Sequence, residues 1–256
     1  MIFHQFYSTV FGIFKNMASF PELVHGVFLR RAKVLPDAAD RLNIGINSGS
    51  DPLESAENRE AVSSCLGGVQ LLFLSQVHGC DIRVLNSEEA VTSDIYDPPT
   101  ADGFVADRKG IGLAIGSADC QAVILYDPTR RVIANVHAGW RGSIGNILGK
   151  CIETMKSDFQ TSPADLIAAI GPSLGPCCAE FIHYRAEIPK IYWPYKTRHN
   201  LFNFWQISHD QLTEAGVPEA HIEWSGICTK CNPHLFFSYR HAGESGRFAT
   251  VIGLKQ

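Results

Sequence analysis

The chain has 256 residues, of which 45% are hydrophobic and 19% are charged. This length is enough to bury a sizeable core, and the composition is ordinary for a globular protein. The formal net charge is −4 and no run is rich in lysine and arginine, which argues against a nucleic-acid-binding surface. No apolar stretch has the length of a membrane span. We therefore predict a globular protein that acts on a small molecule, with no nucleic-acid or membrane partner.

The N-terminal segment is apolar and aromatic, but polar residues interrupt the unbroken apolar block that a signal peptide needs. We predict that residues 1–19 form an N-terminal extension, with a first strand as an alternative, and that residues 20–256 form the domain. The eight cysteines do not have the spacing of a small disulfide framework. We expect reduced thiols and a cytoplasmic location. No feature of the sequence indicates an oligomeric state.

Apolar runs typical of partly buried strands alternate with helical patterns along the chain. The strand-like runs are 23–29, 69–78, 81–85, 110–117, 122–127, 131–137, 165–171 and 248–254. The helix-like segments are 55–67, 143–158, 178–188 and 203–216. Ser55 is the predicted N-cap of the first helix, and Gly216 ends the last as a C-cap. This order predicts one α/β domain with layered sheets and flanking helices, without repeats or a long linker.

Three candidate metal ligands lie at or beside the ends of apolar runs. His78 and His137 each end such a run, and Cys120 lies between two of them. Two imidazoles and a thiolate suit zinc, and three protein ligands with one open position are typical of a catalytic zinc site. Such a zinc ion lowers the pKa of its bound water to about 7. From the pattern alone, a hydrogen-bonded structural role for each histidine and a buried core role for the cysteine remain alternatives.

A second cysteine pattern is the CxxC of Cys228 and Cys231. One CxxC without a second pair is a weak zinc signal. The adjacent Cys177 and Cys178 would complete a four-thiolate site, although neighbouring ligands are geometrically awkward. A redox role for the CxxC is disfavoured by the nearby proline, Pro233.

Several short motifs occur together in a specific order. They are NIG at 43–45, ENR at 57–59, QVHG at 76–79, ADG at 101–103, SADC at 117–120, HAGWRG at 137–142, IGPSLGPCC at 170–178 and FFSYR at 236–240. This combination resembles the laccase-domain family, also labelled multicopper polyphenol oxidase and described as purine nucleoside phosphorylase. The resemblance covers residues 20–254. It implies that His78, Cys120 and His137 bind one zinc ion per chain. Copper is a possible adventitious occupant, because it binds such ligands more tightly than zinc.

The resemblance implies phosphorolysis of adenosine, inosine, guanosine and methylthioadenosine by inorganic phosphate, and deamination of adenosine. For deamination, Asp119 beside Cys120 is the nearest candidate proton shuttle, with a turn-capping role as the alternative. For phosphorolysis, arginine matches phosphate oxygens with its planar fork. The candidates are Arg141, Arg59 and Arg240. Asn43 and Gln76 are candidates for binding the base or the ribose, with a turn or capping role as the alternative.

Three other functions compete with this one. The first is a cytosolic amidase that edits a peptidoglycan precursor, which would need no phosphate. The second is a copper-dependent phenol oxidase, which normally holds several coppers with HxH pairs; ten histidines are present, but none forms HxH. The third is a binding or scaffold protein with a structural zinc, which an open metal position would argue against.

Overall fold

The structure is a computed structural model that describes residues 1–31, 41–46, 51–86, 97–243 and 245–256. Its strands are β1 (Ile2–Phe6), β2 (Thr9–Ile13), β3 (Leu23–Phe28), β4 (Gln70–Leu72), β5 (Ile82–Leu85), β6 (Gly103–Ala106), β7 (Ile111–Ser117), β8 (Gln121–Asp127), β9 (Val132–Ala138), β10 (Ile167–Ile170), β11 (Ile222–Trp224) and β12 (Phe248–Leu254). Its helices are α1 (Pro52–Cys65), α2 (Trp140–Ile144), α3 (Ile147–Phe159), α4 (Tyr184–Glu187), α5 (Phe204–Glu214) and α6 (Tyr239–Ala242).

The strands form two six-stranded mixed sheets. The first has the order β1-β2-β3-β12-β7-β4 and the second has the order β11-β10-β8-β9-β6-β5. The long central strands β7, β8, β9 and β12 are buried on both faces almost throughout, which explains why they read as continuous apolar runs rather than as alternating ones.

The two sheets pack face to face over the main hydrophobic core. Leu113 and Ile252 of the first sheet belong to the same buried cluster as Ile124 and Ile133 of the second. Helix α1 covers the outer face of the first sheet through Val62. Helices α3 and α5 cover the outer face of the second sheet. The layers run helix, sheet, sheet, helix, which confirms the predicted α/β class with layered sheets and flanking helices.

Local capping explains where the helices depart from the sequence prediction. Helix α1 begins at Pro52, three residues before Ser55, because Asp51 accepts the Leu53 amide at 2.9 Å. Ser55 instead donates to the carbonyl of Gly45. The predicted helix 143–158 is two helices, since Asn146 between them has φ 54° and caps α3 through the Gly149 amide.

Two other predicted elements are much shorter than expected. Of the predicted helix 178–188, only α4 is helical, and the chain before it forms turns. Of the predicted strand 69–78, only β4 pairs with the sheet, and the rest forms the loop that carries His78. Strands β6 and β11 are short and were not predicted.

The N-terminal residues pair with the first sheet. Strand β1 pairs antiparallel with β2, and β2 pairs with β3 through Phe11 and Phe28. The hairpin therefore extends the sheet edge, while the domain boundary at residue 20 stays a prediction. Among the helices of the described chain, none has both the length and the apolar character of a membrane span.

Candidate metal centre and active-site cavity

The three predicted ligands converge at one end of the second sheet. Strands β8 and β9 are antiparallel, and Gln121 lies opposite Ala138. Cys120 immediately precedes β8 and His137 lies near the end of β9, so sheet pairing alone makes them neighbours. His78 reaches them from the loop after β4. The ligand atoms of the three residues all lie within 4.8 Å of one another.

Asp102 holds this centre together. It is fully buried immediately before β6, and its carboxylate accepts a hydrogen bond from His137 Nδ1 at 2.8 Å. The same carboxylate accepts the backbone amides of Val77, His78 and Gly79 at 3.3, 2.9 and 2.6 Å. These bonds hold His78 in the left-handed region, at φ 61°. One carboxylate thus orients one ligand ring and shapes the loop that presents another.

The donor geometry fits a tetrahedral zinc ion. With Nδ1 bound to Asp102, His137 offers Nε2 to a metal, in the carboxylate–histidine arrangement common around zinc. The Cys120 Sγ lies 3.6 Å from His78 Nε2. Zinc bond lengths of about 2.3 Å to sulfur and 2.0–2.1 Å to nitrogen at tetrahedral angles put these atoms about 3.6 Å apart. The residues present therefore fit the ion that the sequence predicts.

Gly139, in the HAG turn, has no side chain and so leaves space for the candidate ligands. A Cβ on Gly139 would lie 2.7 Å from His78 Cδ2 and 3.4 Å from Cys120 Sγ. Any side chain at this position would push His78 away from the other two ligands.

The charges of the centre favour a thiolate. Burial acts to raise the pKa of Cys120, but the charge and hydrogen bond of His137, assisted by His78, lower it to about 6. Burial acts to lower the pKa of His137, but Cys120 and Asp102 raise it to about 9. A metal cation would take the place of the imidazolium proton, since a ligating histidine must be neutral.

The centre lies in the wall of a cavity of about 860 Å³. Four arginines line this cavity: Arg59, Arg141, Arg240 and Arg247. Aromatic side chains line it as well: Phe73, Trp140, Phe181, Phe204 and Tyr239. Pockets of this size hold small organic ligands, and clustered guanidinium groups suit an anionic part of such a ligand.

Arg59 has unused hydrogen-bonding capacity. It is half-buried, stacks on Phe73 at 3.7 Å and donates from Nε to the Ile44 carbonyl at 2.9 Å. Its Nη1 is buried and has no hydrogen-bond partner within the described ranges. Burial lowers the pKa of Arg59 to about 10, so the side chain stays charged at neutral pH. A buried charged donor without a partner indicates a position for an anionic ligand.

Arg141 and Arg240 line the cavity from its exposed side. Arg141 is the second residue of α2, and its guanidinium lies 4.3 Å from the Trp140 ring centroid. Arg240 donates from Nη1 to the Glu180 carbonyl at 2.9 Å.

Asp119 lines the cavity beside Cys120, with φ 94°. Its Oδ1 accepts the Thr229 hydroxyl at 2.6 Å, and its Oδ2 accepts the Arg240 backbone amide at 2.6 Å. The carboxylate thus ties together the segments around Thr229 and Arg240. These contacts favour the capping alternative, and its role as a proton shuttle stays a prediction.

Gln76 and Asn43 use their side chains on the protein itself. Gln76 lines the cavity, but its amide makes two hydrogen bonds of 3.0 Å to the backbone of Gly116. Asn43 is buried, and its Oδ1 accepts the amides of Gly45 and Arg247 at 3.1 and 2.7 Å. Asn43 is not among the described residues that line the cavity. The contacts of Gln76 and Asn43 are those expected of the turn or capping role, which was the alternative to binding the base or the ribose.

Two residues of the site were missed by sequence reasoning. Asp102 belongs to the ADG motif, but only the pairing of β6 with β9 puts its carboxylate beside His137. Arg247 precedes β12 with no motif of its own, and it lines the cavity from the first sheet. The ADG motif at 101–103 was the available signal for Asp102.

Comparison with known proteins agrees with this architecture. The sequence model of the family described as "Multi-copper polyphenol oxidoreductase laccase" matches residues 24–255. The purine nucleoside phosphorylase YlmD of Geobacillus stearothermophilus is 30% identical over 230 residues, which cover 84% of each chain. A purine nucleoside phosphorylase of Xylella fastidiosa strain 9a5c is 32% identical over 224 residues, covering 83% of this chain and 84% of the relative.

Solved structures show the same fold. The crystal structure of the hypothetical protein YfiH of Bacillus licheniformis superposes with a TM-score of 0.85 at 25% identity, and the match covers 99% of each chain. The structure of YlmD from Geobacillus stearothermophilus superposes with a TM-score of 0.84 at 28% identity, covering 100% of this chain and 99% of that one. The chain belongs to the multi-copper polyphenol oxidoreductase laccase family.

The family description mentions several copper ions, but this site is smaller. Across the described ranges, the one candidate metal cluster that contains histidine is the group of His78, Cys120 and His137. Three donors converging on one point can hold one ion.

Proposed function

We propose that the protein is a zinc-dependent purine nucleoside phosphorylase that also deaminates adenosine. The observation that carries the proposal is a three-ligand metal centre that opens on a cavity of about 860 Å³ lined by four arginines. The names of the relatives, purine nucleoside phosphorylase, support the same substrates. The proposal includes a cytoplasmic location, which eight free thiols support because thiols persist in a reducing compartment.

The metal ligands are His78, Cys120 and His137. When bound there, zinc supplies a Lewis acid and lowers the pKa of a coordinated water. Asp102 orients His137 and presents His78, so it is a positioning residue. Because His137 is almost fully buried, its ring cannot swing out of the cavity wall.

In phosphorolysis, a phosphate oxygen forms a bond to C1′ of the ribose while the bond from C1′ to the purine nitrogen breaks. The electron pair leaves with the base, which takes up a proton, and the products are the free purine and ribose 1-phosphate. The reaction needs donors that hold phosphate against the sugar. Arg59 supports this role with its buried, unpartnered Nη1, and Arg141 and Arg240 present further guanidinium groups.

The purine would lie against the aromatic part of the cavity. Phe181 and Phe204 pack against each other with their centroids 5.3 Å apart, and Trp140 contacts Phe181 edge to face. Flat apolar surfaces of this kind favour a purine ring. Gln76 and Asn43, with amides bonded to the backbone, would shape the cavity rather than read the base.

In deamination, water adds at C6 of adenine and ammonia leaves, so a proton must pass to the departing nitrogen. Asp119 is the candidate shuttle, and its bonds to Thr229 and to the Arg240 amide would fix the carboxylate beside Cys120.

The test is an adenosine assay on purified protein with measured zinc content. Chromatography would follow adenine, inosine and hypoxanthine, with and without phosphate. We expect adenine release that requires phosphate, inosine formation that does not, and about one zinc lost in His137→Ala together with both activities. Zinc retained without turnover of any purine nucleoside would contradict the proposed substrate and favour the peptidoglycan precursor.

Asp119→Asn separates the two reactions. As a proton shuttle, Asp119 is needed for inosine formation, while adenine release would persist. Thr229→Val is the matched control, because it removes the hydrogen bond from Thr229 to Asp119 and leaves the Asp119 carboxylate ionisable. Equal loss of both products in the two variants would assign Asp119 to positioning alone.

A further inference from the structure

Four cysteines outside the catalytic centre meet at one point. Cys177 and Cys178 end the loop after β10, and Cys228 and Cys231 follow β11. Their sulfur atoms all lie within 4.8 Å of one another. All eight cysteines of the chain are described and free of disulfides. We call this group the four-thiol cluster.

The distances in the cluster match one ion rather than a disulfide. Sγ of Cys231 lies 3.7 Å from Sγ of Cys177 and 3.5 Å from Sγ of Cys178. Four sulfurs at about 2.3 Å from one tetrahedral zinc are about 3.8 Å apart. A disulfide needs about 2.05 Å. A multi-iron cluster binds its cysteines through different iron atoms, which sets them farther apart than a single ion does.

The backbone beside the cluster donates a hydrogen bond that favours a thiolate. Cys228 is buried, and its Sγ accepts a hydrogen bond from the amide of Gly175 at 3.3 Å. Amide donors of this kind stabilise a thiolate over a thiol. This donor on the buried sulfur is a second observation that points to a bound cation, since a neutral thiol gains little from it.

The adjacent residues Cys177 and Cys178 can both be ligands of the same ion. Residues 176–178 form a turn, in which the Cys178 amide donates to the Gly175 carbonyl at 2.9 Å. This turn brings both Cys177 and Cys178 within reach of Cys231, so the sequence argument against neighbouring ligands does not hold here.

We infer that Cys177, Cys178, Cys228 and Cys231 form a second metal site, which binds one zinc ion as a closed tetrathiolate. Binding releases the thiol protons and leaves a dianionic centre, whose charge the Gly175 amide on Cys228 partly offsets. Four protein ligands leave no open position, so the ion is structural.

The second ion would brace the wall of the catalytic cavity. It joins the 170–178 loop to the 228–231 loop, which are otherwise connected by a bridge between Ser173 and Cys228. Thr229 lies between the ligands and donates to Asp119, the neighbour of Cys120. Leu174 from the other loop lines the cavity and donates its amide to the Asp119 carbonyl at 2.8 Å.

The experiment is zinc analysis by mass spectrometry on the full chain purified with reductant. The variant is Cys177→Ser with Cys231→Ser, because both side chains are exposed and their loss disturbs packing least. We expect one zinc fewer per chain than in wild type, whatever the catalytic centre holds. Cys65→Ser is the matched control, because Cys65 lies outside both clusters, and it should keep the wild-type content. Unchanged zinc in the double variant would overturn the proposal.

A measurement on the wild-type protein avoids the question of folding. Cobalt(II) loaded into the metal-free chain in equimolar steps should give the strong sulfur-to-cobalt charge transfer of a tetrathiolate, retained in His137→Ala. Zinc loading should protect these four cysteines from iodoacetamide. A disulfide between the two loops, or four thiols that zinc leaves fully reactive, would refute the second site.

Discussion

The histidine–cysteine centre and the four-thiol cluster are neighbours in one network but are built in opposite ways. The first takes its donors from the ends of sheet strands and one loop, and it lies in the wall of the cavity. The second takes all four donors from two loops. Three protein donors leave a position for a reacting molecule, whereas four close the coordination sphere. The number of donors, rather than their type, therefore distinguishes a site that is open to chemistry from one that supports the fold.

The two clusters also differ in what holds them. The candidate ligands of the first cluster are fixed without a metal, because Asp102 binds His137 and the loop of His78 through four hydrogen bonds. The two loops of the four-thiol cluster are joined by backbone hydrogen bonds of Ser173 with Ile227 and Thr229, and their four thiols leave no open position on an ion. A metal ion should therefore matter mainly for chemistry at the first cluster and for stability at the second.

The largest expected effect is that of metal removal. Titration with a chelator should abolish nucleoside turnover first, by about a hundredfold or more, because the three-ligand site is open to the cavity. The melting temperature should fall only at higher chelator concentration, when the four-thiol cluster loses its ion. Activity and calorimetry on the same samples measure the order. Simultaneous loss of both signals would remove the distinction between the clusters.

The second prediction concerns thiol reactivity in the metal-free protein. Burial and neighbouring thiols raise the pKa of Cys177 to about 11, whereas the net effect of its neighbours lowers the pKa of Cys120 to about 6. At pH 7, which is above the pKa of Cys120 and below that of Cys177, Cys120 is mostly thiolate and Cys177 is thiol. After allowance for the weaker nucleophilicity of a low-pKa thiolate, iodoacetamide should label Cys120 about a hundredfold faster.

The pH dependence of iodoacetamide labelling shows whether ionisation of Cys120, rather than its solvent access, makes its labelling fast. Labelling of Cys120 should fall as the pH drops through about 6, because protonation removes the nucleophile. His137→Ala should shift that midpoint upward, since it removes a charge and a hydrogen bond that favour the thiolate. A midpoint unchanged by the substitution would show that His137 does not set the ionisation of Cys120.

The third prediction concerns the support of the open centre. Asp102→Asn should weaken zinc binding or turnover about 10- to 100-fold, since it removes the negative charge behind His137. Competition with a coloured chelator measures the affinity, and the zinc content of the four-thiol cluster should not change. Asp81→Asn, at an exposed carboxylate nearby, is the matched control. Unchanged zinc affinity in Asp102→Asn would limit Asp102 to shaping the loop.

The sequence predicts the long central strands well for a physical reason, whereas its pattern alone left structural alternatives for the three ligands. Strands buried on both faces are continuous apolar runs, and residues at their ends meet at one sheet edge. Cys120 and His137 are brought together by this rule. His78 is less regular, because its strand ends at Leu72 and a loop held by Asp102 covers the remaining distance.

The remainder depends on contacts between distant segments. Asp102 acts through the register of β6 against β9, which no local pattern encodes. The four-thiol cluster depends on a turn at 176–178, which lies immediately before most of the predicted helix 178–188, and on the bridge between Ser173 and Cys228. Asn146 interrupts a helical pattern by adopting φ 54°, which periodicity cannot show.

The smallest expected effect tests the role of the cavity outside the metal. Arg59→Met keeps most of the stacking on Phe73 but removes the charge and the unpartnered Nη1. One charge-assisted hydrogen bond contributes about 1.5–3 kcal/mol, so the KM for phosphate should rise about tenfold or more. Arg59→Lys should recover only part of this, because an ammonium lacks the planar fork.

The control variant and the two KM values show whether Arg59 binds phosphate or the nucleoside. Arg130→Met removes an exposed arginine that does not line the described cavity, and it should leave both KM values unchanged. A raised KM for adenosine with an unchanged KM for phosphate would move Arg59 to the nucleoside side of the site. Because Arg59 is in contact with neither cluster, zinc content should be the same in all three variants. A change in zinc content would mean that the cavity and the metal centre are not the separable parts that the comparison assumes.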